Sequence, residues 1–418
     1  MKVKTLTKLV TLSFITATTL HATNGDHLIG VGAKARGMGG TGIAISHGAE
    51  SGLANGALIT STKGTEISFG GTLFAPTIKT QIKNGAPGNP EYTSDAKLNM
   101  IPEVSISTKI NDNFYIGIGM WGTAGMGVDY SKATGQNFAT GKLANFSMVT
   151  NLQLMQFGMP IAYKTEGLSL AVTPILQYGN LDINFKTASQ GAPNPLPRGT
   201  VYTVGAGLAQ DFGFGYNLGI AYDFSANGVA GLTVGATYKS SIKMKYNGQV
   251  SNAASQFGLT TITDTLEQPS EYGVGVAYEM GQHSFAVDYK KINWSKTKGY
   301  GDFGWKDQNV YAIGYQFAQD NWALRTGFNS GSATVVEQTN PALNMLNLLG
   351  FPANAKQHYT FGGTYGFSSQ FSVDLGFVYS PKATDTFSTF GIPGFAAGST
   401  VSTSHQENSL SFQLNYTF

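Results

Sequence analysis

The chain has 418 residues, a net charge of +2 and no cysteine. The missing thiols exclude a disulfide scaffold, thiolate metal sites and cysteine nucleophiles. The near-neutral balance, with no basic run interleaved with aromatics, leaves no footprint for nucleic acid. Only 12% of residues are charged, about half the share usual in soluble domains, too few to coat an ordinary water-exposed surface.

Residues 1–22 place Lys2, Lys4 and Lys8 ahead of an apolar run from Leu9 to Leu20, then His21 and Ala22. This is the layout of a secretory signal removed after Ala22. The apolar run is shorter than the roughly 20 residues a spanning helix needs, and no later segment reaches that length.

Residues 23–64 form the next expected unit, a plug. Between Gly30 and Thr60 the sequence GVGAKARGMGGTGIAISHGAESGLANGALIT is rich in glycine and alanine. It has too few large apolar groups to make its own core, so walls around it must order it. Gly37, Gly39 and Gly42 also satisfy the G-x-G-x-x-G spacing of a dinucleotide loop. That reading needs a preceding strand, a following helix and βαβ alternation, and Gly48 and Gly52 interrupt any helix here.

From Thr65 onward the period is two. Leu98, Met100, Val104, Ile106 and Ile110 alternate with polar residues, as do Leu232, Val234, Ala236, Tyr238, Ile242, Met244 and Tyr246, and Phe371, Val373, Leu375, Phe377 and Tyr379. The segments are 65–78, 97–110, 114–130, 146–163, 168–185, 201–224, 230–246, 269–280, 283–294, 307–317, 321–328, 357–367, 371–380 and 404–418, about fourteen by this count. Tight turns at 111–113, 164–167, 225–229, 281–282, 318–320 and 368–370 alternate with long links such as 247–268, 329–356 and 381–403. Short turns on one side and long loops on the other characterise an outer-membrane barrel, whereas a soluble sandwich has no reason for the asymmetry. Mean hydropathy of −0.08 is compatible, because lipid-facing and lumen-facing residues cancel. The fold class expected is therefore all-β, an antiparallel transmembrane β-barrel of about fourteen strands over residues 65–418 with an N-terminal plug in its lumen. Aromatics at strand ends read as interface girdles: Phe114, Tyr115, Phe224, Phe317, Trp322 and Phe367 on the short-turn side, Tyr130, Tyr246, Trp294 and Tyr379 on the loop side. Leu410, Phe412, Leu414, Tyr416 and Phe418 end the chain in the pattern of a closing strand recognised by the outer-membrane assembly machinery.

The leader, the GVGAKARGMGGTGIA and ANGALIT segments, the fourteen-strand pattern and terminal Phe418 together resemble the FadL-type family of outer-membrane transporters for fatty acids and aromatic hydrocarbons. The resemblance implies a monomer, without cofactor, in the outer membrane of a Gram-negative bacterium, both termini periplasmic, among membrane lipid and lipopolysaccharide. It implies passive uptake of hydrophobic small molecules, released sideways where the third strand kinks inward against an Asn-Pro-Ala motif of the plug. The matching positions here are Asn55, Gly56 and Ala57, so the proline is absent. Gly122, Gly125 and Gly127 in WGTAGMG are the expected kink, since strand glycines weaken a ladder and invite bulges.

Three further groups stand out. Leu343, Met345, Leu346, Leu348, Leu349 and Phe351 are too apolar for an exposed loop unless they cover something or catch ligand. Lys239, Lys243 and Lys245 share one face of the seventh segment and Arg325 points inward on another. They are candidates for a ligand carboxylate, or for pairing with lumen acids such as Asp288 or Asp374. The dispersed histidines make no H-E-x-x-H and no G-x-S-x-G elbow exists, so no catalytic residue is assigned and no metal is expected. His358, near strand serines, is the one position where a barrel lipase would hide. The rivals to hydrophobic transport are a general porin for polar solutes and an outer-membrane phospholipase.

Overall fold

A computed structural model describes residues 23–84, 89–136, 143–145, 147–189, 195–197 and 199–418. The leader, residues 1–22, and the first residue of the fourth segment, Phe146, lie outside the described residues.

Fourteen antiparallel strands form a closed barrel. They are β1 Thr65–Lys83, β2 Asn99–Lys109, β3 Phe114–Asp129, β4 Val149–Gly158 resuming as Ile161–Thr165, β5 Leu168–Ala188, β6 Ala209–Asp223 and β7 Leu232–Lys239. The second half comprises β8 Glu271–Met280, β9 His283–Ile292, β10 Gln308–Gln319, β11 Trp322–Gly331, β12 Gln357–Gly366, β13 Phe371–Ser388 and β14 Thr400–Thr417. Each pairs with its neighbour, and β14 returns to β1 through Thr417↔Glu66 and Gln406↔Thr77. Met159–Pro160 interrupts β4, where proline has no N–H for the ladder.

The period of two decides which side chains meet lipid. On β6, Phe212, Phe214, Tyr216, Leu218 and Ile220 are exposed while the residues between them turn inward. The same holds on β14, where Leu410, Phe412 and Tyr416 are exposed and Ser411, Gln413 and Asn415 are buried. Such a continuous apolar exterior fits lipid. Ring pairs gather at the short-turn end: Phe114 with Tyr163, Phe317 with Trp322, Tyr365 with Phe367, and Tyr416 with exposed Phe418.

The loop-side girdle needs correction. Tyr379 is exposed, but Tyr130, Tyr246 and Trp294 are buried, part of one interior cluster with Trp305, Phe303, Leu348 and Phe351. The long loops fold over the mouth and pack these aromatics inward.

The seventh segment also departs from the sequence reading. The regular ladder of β7 ends at Lys239↔Glu271. Ser240 then bonds Tyr216 through backbone and side chain, and pairing resumes only at Ile242↔Gln268. Lys239 and Ile242, three positions apart, both turn inward, so the alternation changes phase. Ile242, Met244 and Tyr246 are buried, whereas Lys243 and Lys245 are exposed and do not share the face of Lys239.

Candidate functional site

The glycine-rich segment is ordered by the inner wall. Its backbone amides are satisfied by wall side chains: Gly32 N–H by Glu103 Oε2 (2.8 Å), Ala33 N–H by Gln413 Oε1 (2.8 Å), Gly39 N–H by Thr360 Oγ1 (2.8 Å). Asp288 Oδ2 accepts from Gly42 (2.8 Å) and Ile43 (3.1 Å). Of the three glycines in the G-x-G-x-x-G spacing, Gly39 and Gly42 thus give their amides to a hydroxyl and a carboxylate of the wall, which takes them away from any phosphate. Inward glycines let the segment lie close. A Cβ at Gly314 would fall 2.6 Å from Met38 O, and one at Gly362 3.0 Å from Gly37 Cα. These wall glycines were a legible signal of close backbone approach that the sequence reading did not use.

Asn55 is buried and bridges two elements. Its Nδ2 donates to Ile43 O (2.7 Å) and to Ile220 O of β6 (3.0 Å), while its Oδ1 accepts from Ala57 N–H (3.1 Å). Gly56 packs against Thr173, Ala171 and Pro160 of β4 and β5. Asn55, Gly56 and Ala57 therefore sit against β4–β6 and do not meet the kink, a correction to the motif's expected neighbour. The contact is made instead by a short stretch with no motif. Gly125 N–H donates to Asp26 O (3.0 Å), and His27 pairs with Ala124. Burial raises the Asp26 carboxyl above its ordinary value, opposed by His27 and by bonds from Tyr300 and Gln268.

The WGTAGMG stretch of β3 carries a bulge. The β3–β4 register shifts between Gly122 and Ala124. The β2–β3 ladder runs only from Lys109↔Tyr115 to Glu103↔Trp121. Beyond it, Asn99–Pro102 pair with β1 alone and Gly122–Asp129 with β4 and the N-terminal segment. Along this unpaired seam runs a cavity of about 350 Å³. Its lining includes Met100, exposed on the outer face, and Thr23, His405 and Glu407, buried in the lumen, so it reaches through the wall. Leu28, Ile78, Val128 and Leu154 supply apolar surface between them.

The loop residues expected to catch ligand form a helix, Pro341–Gly350, capped by Asn340 Oδ1 accepting from Ala342 N–H (3.0 Å). Met345, Leu346, Leu348, Leu349 and Phe351 are buried and only Leu343 is half-buried. Asn347 Nδ2 donates to Phe303 O (2.8 Å), and Thr403 and Thr150 hydroxyls bind Leu348 O and Gly350 O (2.7 Å each). This is a lid on its own barrel, not an exposed landing surface.

The inward cations are paired. Arg325 lies 3.7 Å from Asp374 and donates to Gln316 and Thr364. Lys34 of the segment lies 3.6 Å from Asp374 and 3.8 Å from Glu50, and Lys239 lies 3.1 Å from Glu271. His358 Nε2 accepts from Thr23 N–H (3.2 Å) and lies 3.8 Å from Glu407; its partners are these and not a serine. Among the described residues no cluster could hold a metal ion.

A family profile described as outer membrane protein transport protein (OMPP1/FadL/TodX) matches residues 29–418. The chain belongs to this family. Within it, the 47 kDa outer membrane protein of Pasteurella multocida is 25% identical over 373 residues, spanning 84% of this chain and 85% of the relative. The long-chain fatty acid transport protein of Escherichia coli K12 is 24% identical over 374 residues, 78% of this chain and 80% of that one. Among solved structures, the Pseudomonas putida toluene transporter TodX aligns with a TM-score of 0.70 at 18% identity, over 93% of this chain and 99% of its own. At that identity the likeness speaks for the fold. The OMPP1/FadL/TodX barrel is an outer-membrane protein, which agrees with its apolar exterior.

Proposed function

We propose that the protein admits hydrophobic small molecules, fatty acids or aromatic and aliphatic hydrocarbons, passively across the outer membrane, and that they pass between lumen and bilayer through the β2–β3 seam. Residues 23–64 act as the plug that denies polar solutes a water path. The observation that carries this reading is the cavity through the wall where β3 is bulged and β2 leaves it unpaired. The printed names of the relatives, transporters of fatty acid and of toluene, support the ligand class.

The segment that gates the seam is 24–28, held to β3 by Asp26 and His27, rather than Asn55–Ala57. The helix Pro341–Gly350 is a movable cover over the mouth and offers its apolar face to ligand as it lifts. Affinity comes from apolar area removed from water, about 25 cal/mol per Å², and is tolerant of structure. Lys239 and Arg325 serve the wall and plug rather than a ligand carboxylate. The long loops face outward, both termini lie in the periplasm, Phe418 is read during assembly, and the barrel acts as a monomer, as a channel without a catalytic step.

Proteoliposome assays separate the readings. The expected result is little swelling in small sugars together with selective uptake of apolar compounds. Free passage of sugars would establish a general porin, and calcium-dependent release of fatty acid from phospholipid an enzyme.

A further inference from the structure

The inner end of the seam holds a cluster of buried titratable groups that transport leaves unused. Glu407 and His405 on β14, His358 on β12 and Thr23, where the plug begins, are all buried. Thr23 Oγ1 donates to Glu407 Oε1 (2.5 Å). Its backbone N–H donates to His358 Nε2 (3.2 Å), and that ring nitrogen lies 3.8 Å from Glu407 Oε2. Thr23 N and Oε2 thus flank one atom, while Oε2 accepts no hydrogen bond among the described residues. His405 Nδ1 is engaged by Pro352 O (2.8 Å), and its Nε2 lies 3.2 Å from Oε1. Among the described residues the ion-pair neighbours of this carboxylate are the two histidines, with no lysine or arginine.

Resting on the reading that the leader is removed after Ala22, we infer that Glu407, His358 and His405 form a receptor for the α-ammonium of Thr23, so that processing supplies the charge that seats the front of the plug. As an internal amide this nitrogen is uncharged and has one N–H, which His358 takes. As a terminus it is largely protonated at neutral pH and has three, enough for His358 Nε2 and for Glu407 Oε2. A buried carboxylate needs a cation or a proton beside it. His405, whose Nδ1 meets a carbonyl, supplies one only by becoming charged itself. The ammonium neutralises Glu407 with both rings uncharged. Residues 23–28 then form a strap, fastened at one end to β12 and β14 and at the other to β3 through Asp26 and His27.

The test uses the full chain in lipid nanodiscs at neutral pH, in its processed form and, through Ala22→Leu, in a leader-retaining form, since cleavage needs a small residue before the cut. Sequencing of the processed protein should find Thr23 first; any other first residue leaves the site without its ammonium and overturns the inference. Amide exchange in residues 24–28, read by mass spectrometry, should be about tenfold slower or more in the processed form, the size of a hydrogen bond to a charged group. Glu407→Gln keeps an acceptor for the Thr23 hydroxyl and removes the charge. It should speed exchange about tenfold in the processed form and less than about threefold in the leader-retaining one, where the nitrogen has no charge to lose. Equal effects of Glu407→Gln in the two forms, or one below about threefold in the processed form, would mark a merely structural role and overturn the inference. If that variant fails to assemble, the two wild-type forms decide, and equal exchange in both contradicts the latch. None of these readouts depends on what crosses the seam, so the transport reading is tested separately by uptake.

Discussion

The walls at β10–β13 and at β2–β3 both receive the N-terminal segment, by opposite means. At β10–β13 the ladders are unbroken, inward glycines bring backbone to backbone, and Thr360, Asn329 and Asp374 bind the segment from side chains. At β2–β3 the ladder stops at Glu103↔Trp121. The paired part of β2 still binds the segment through Glu103 to Gly32 N–H and Ser107 to Thr62, but past that point the segment meets β3 through Gly125 N–H to Asp26 O and the bridge His27↔Ala124. The first arrangement resists movement because every displaced group is a buried polar atom that loses its partner. The second has few bonds to break and an apolar cavity beside it. One wall anchors, and the other is the one that parts in the proposed function.

The largest effect expected comes from breaking the anchor. A Cβ at Gly327 would meet the backbone at Gly39, whose Cα lies 2.8 Å away, so Gly327→Leu should expel the segment from that wall. The expected outcome is a folded barrel leaky to small sugars, with liposome swelling raised on the order of tenfold, since a lumen without its filling is a water path. Swelling equal to wild type would show that the segment does not seal the bore.

A smaller effect should follow from Asn55→Ala, which leaves Ile43 O and Ile220 O without the amide they share. The cost is ~1–3 kcal/mol, read as roughly ten- to hundredfold faster amide exchange in residues 41–60. Transport of apolar compounds should change less than in Gly327→Leu, because this contact is remote from the kink.

The smallest is a pH effect that sharpens the same contrast. His47 is buried, its Nε2 bound to Thr41 O (2.8 Å), and burial lowers its imidazole from 6.5 to about 4. The folded-state value lies below the unfolded one, so its contribution is complete above pH 6.5 and is lost as pH falls toward about 4. Exchange protection of residues 41–51 should weaken across that window in wild type and less in His47→Gln, whose amide can still donate to Thr41 O. Equal weakening in both proteins would remove His47 from the account.

Much of this was legible in the sequence because period-two alternation, tight turns and strand glycines are local signals. Each of the fourteen segments falls on one barrel strand, although several strands run past the expected bounds, β13 to Ser388 and β14 from Thr400 into the expected 381–403 link, and the bulge falls at Gly122–Ala124 within WGTAGMG. What escaped reading depends on contacts between distant parts. The phase change after Lys239 comes from Ser240 bonding Tyr216, which no count along β7 reveals, and it turned Lys243 and Lys245 out of the lumen. The apolar helix Pro341–Gly350 has one signature whether it catches ligand or covers a mouth, and only the aromatics of neighbouring loops decide for the cover. Residues 24–28 hold the kink through a backbone carbonyl, which every residue possesses and no motif marks.

The seam can be tested by closing it. An ideal Cβ on Gly122 lies 3.6 Å from Ile101 Cβ, within the roughly 3.5–4.5 Å that a disulfide spans, and the chain has no other cysteine to interfere. In the double variant Ile101→Cys, Gly122→Cys, oxidation should cut uptake of apolar compounds by about tenfold or more while sugar exclusion stays intact, and reduction should restore it, because the bond forbids β2 and β3 from separating. Uptake that proceeds undiminished through the oxidised barrel would contradict a lateral path at β2–β3.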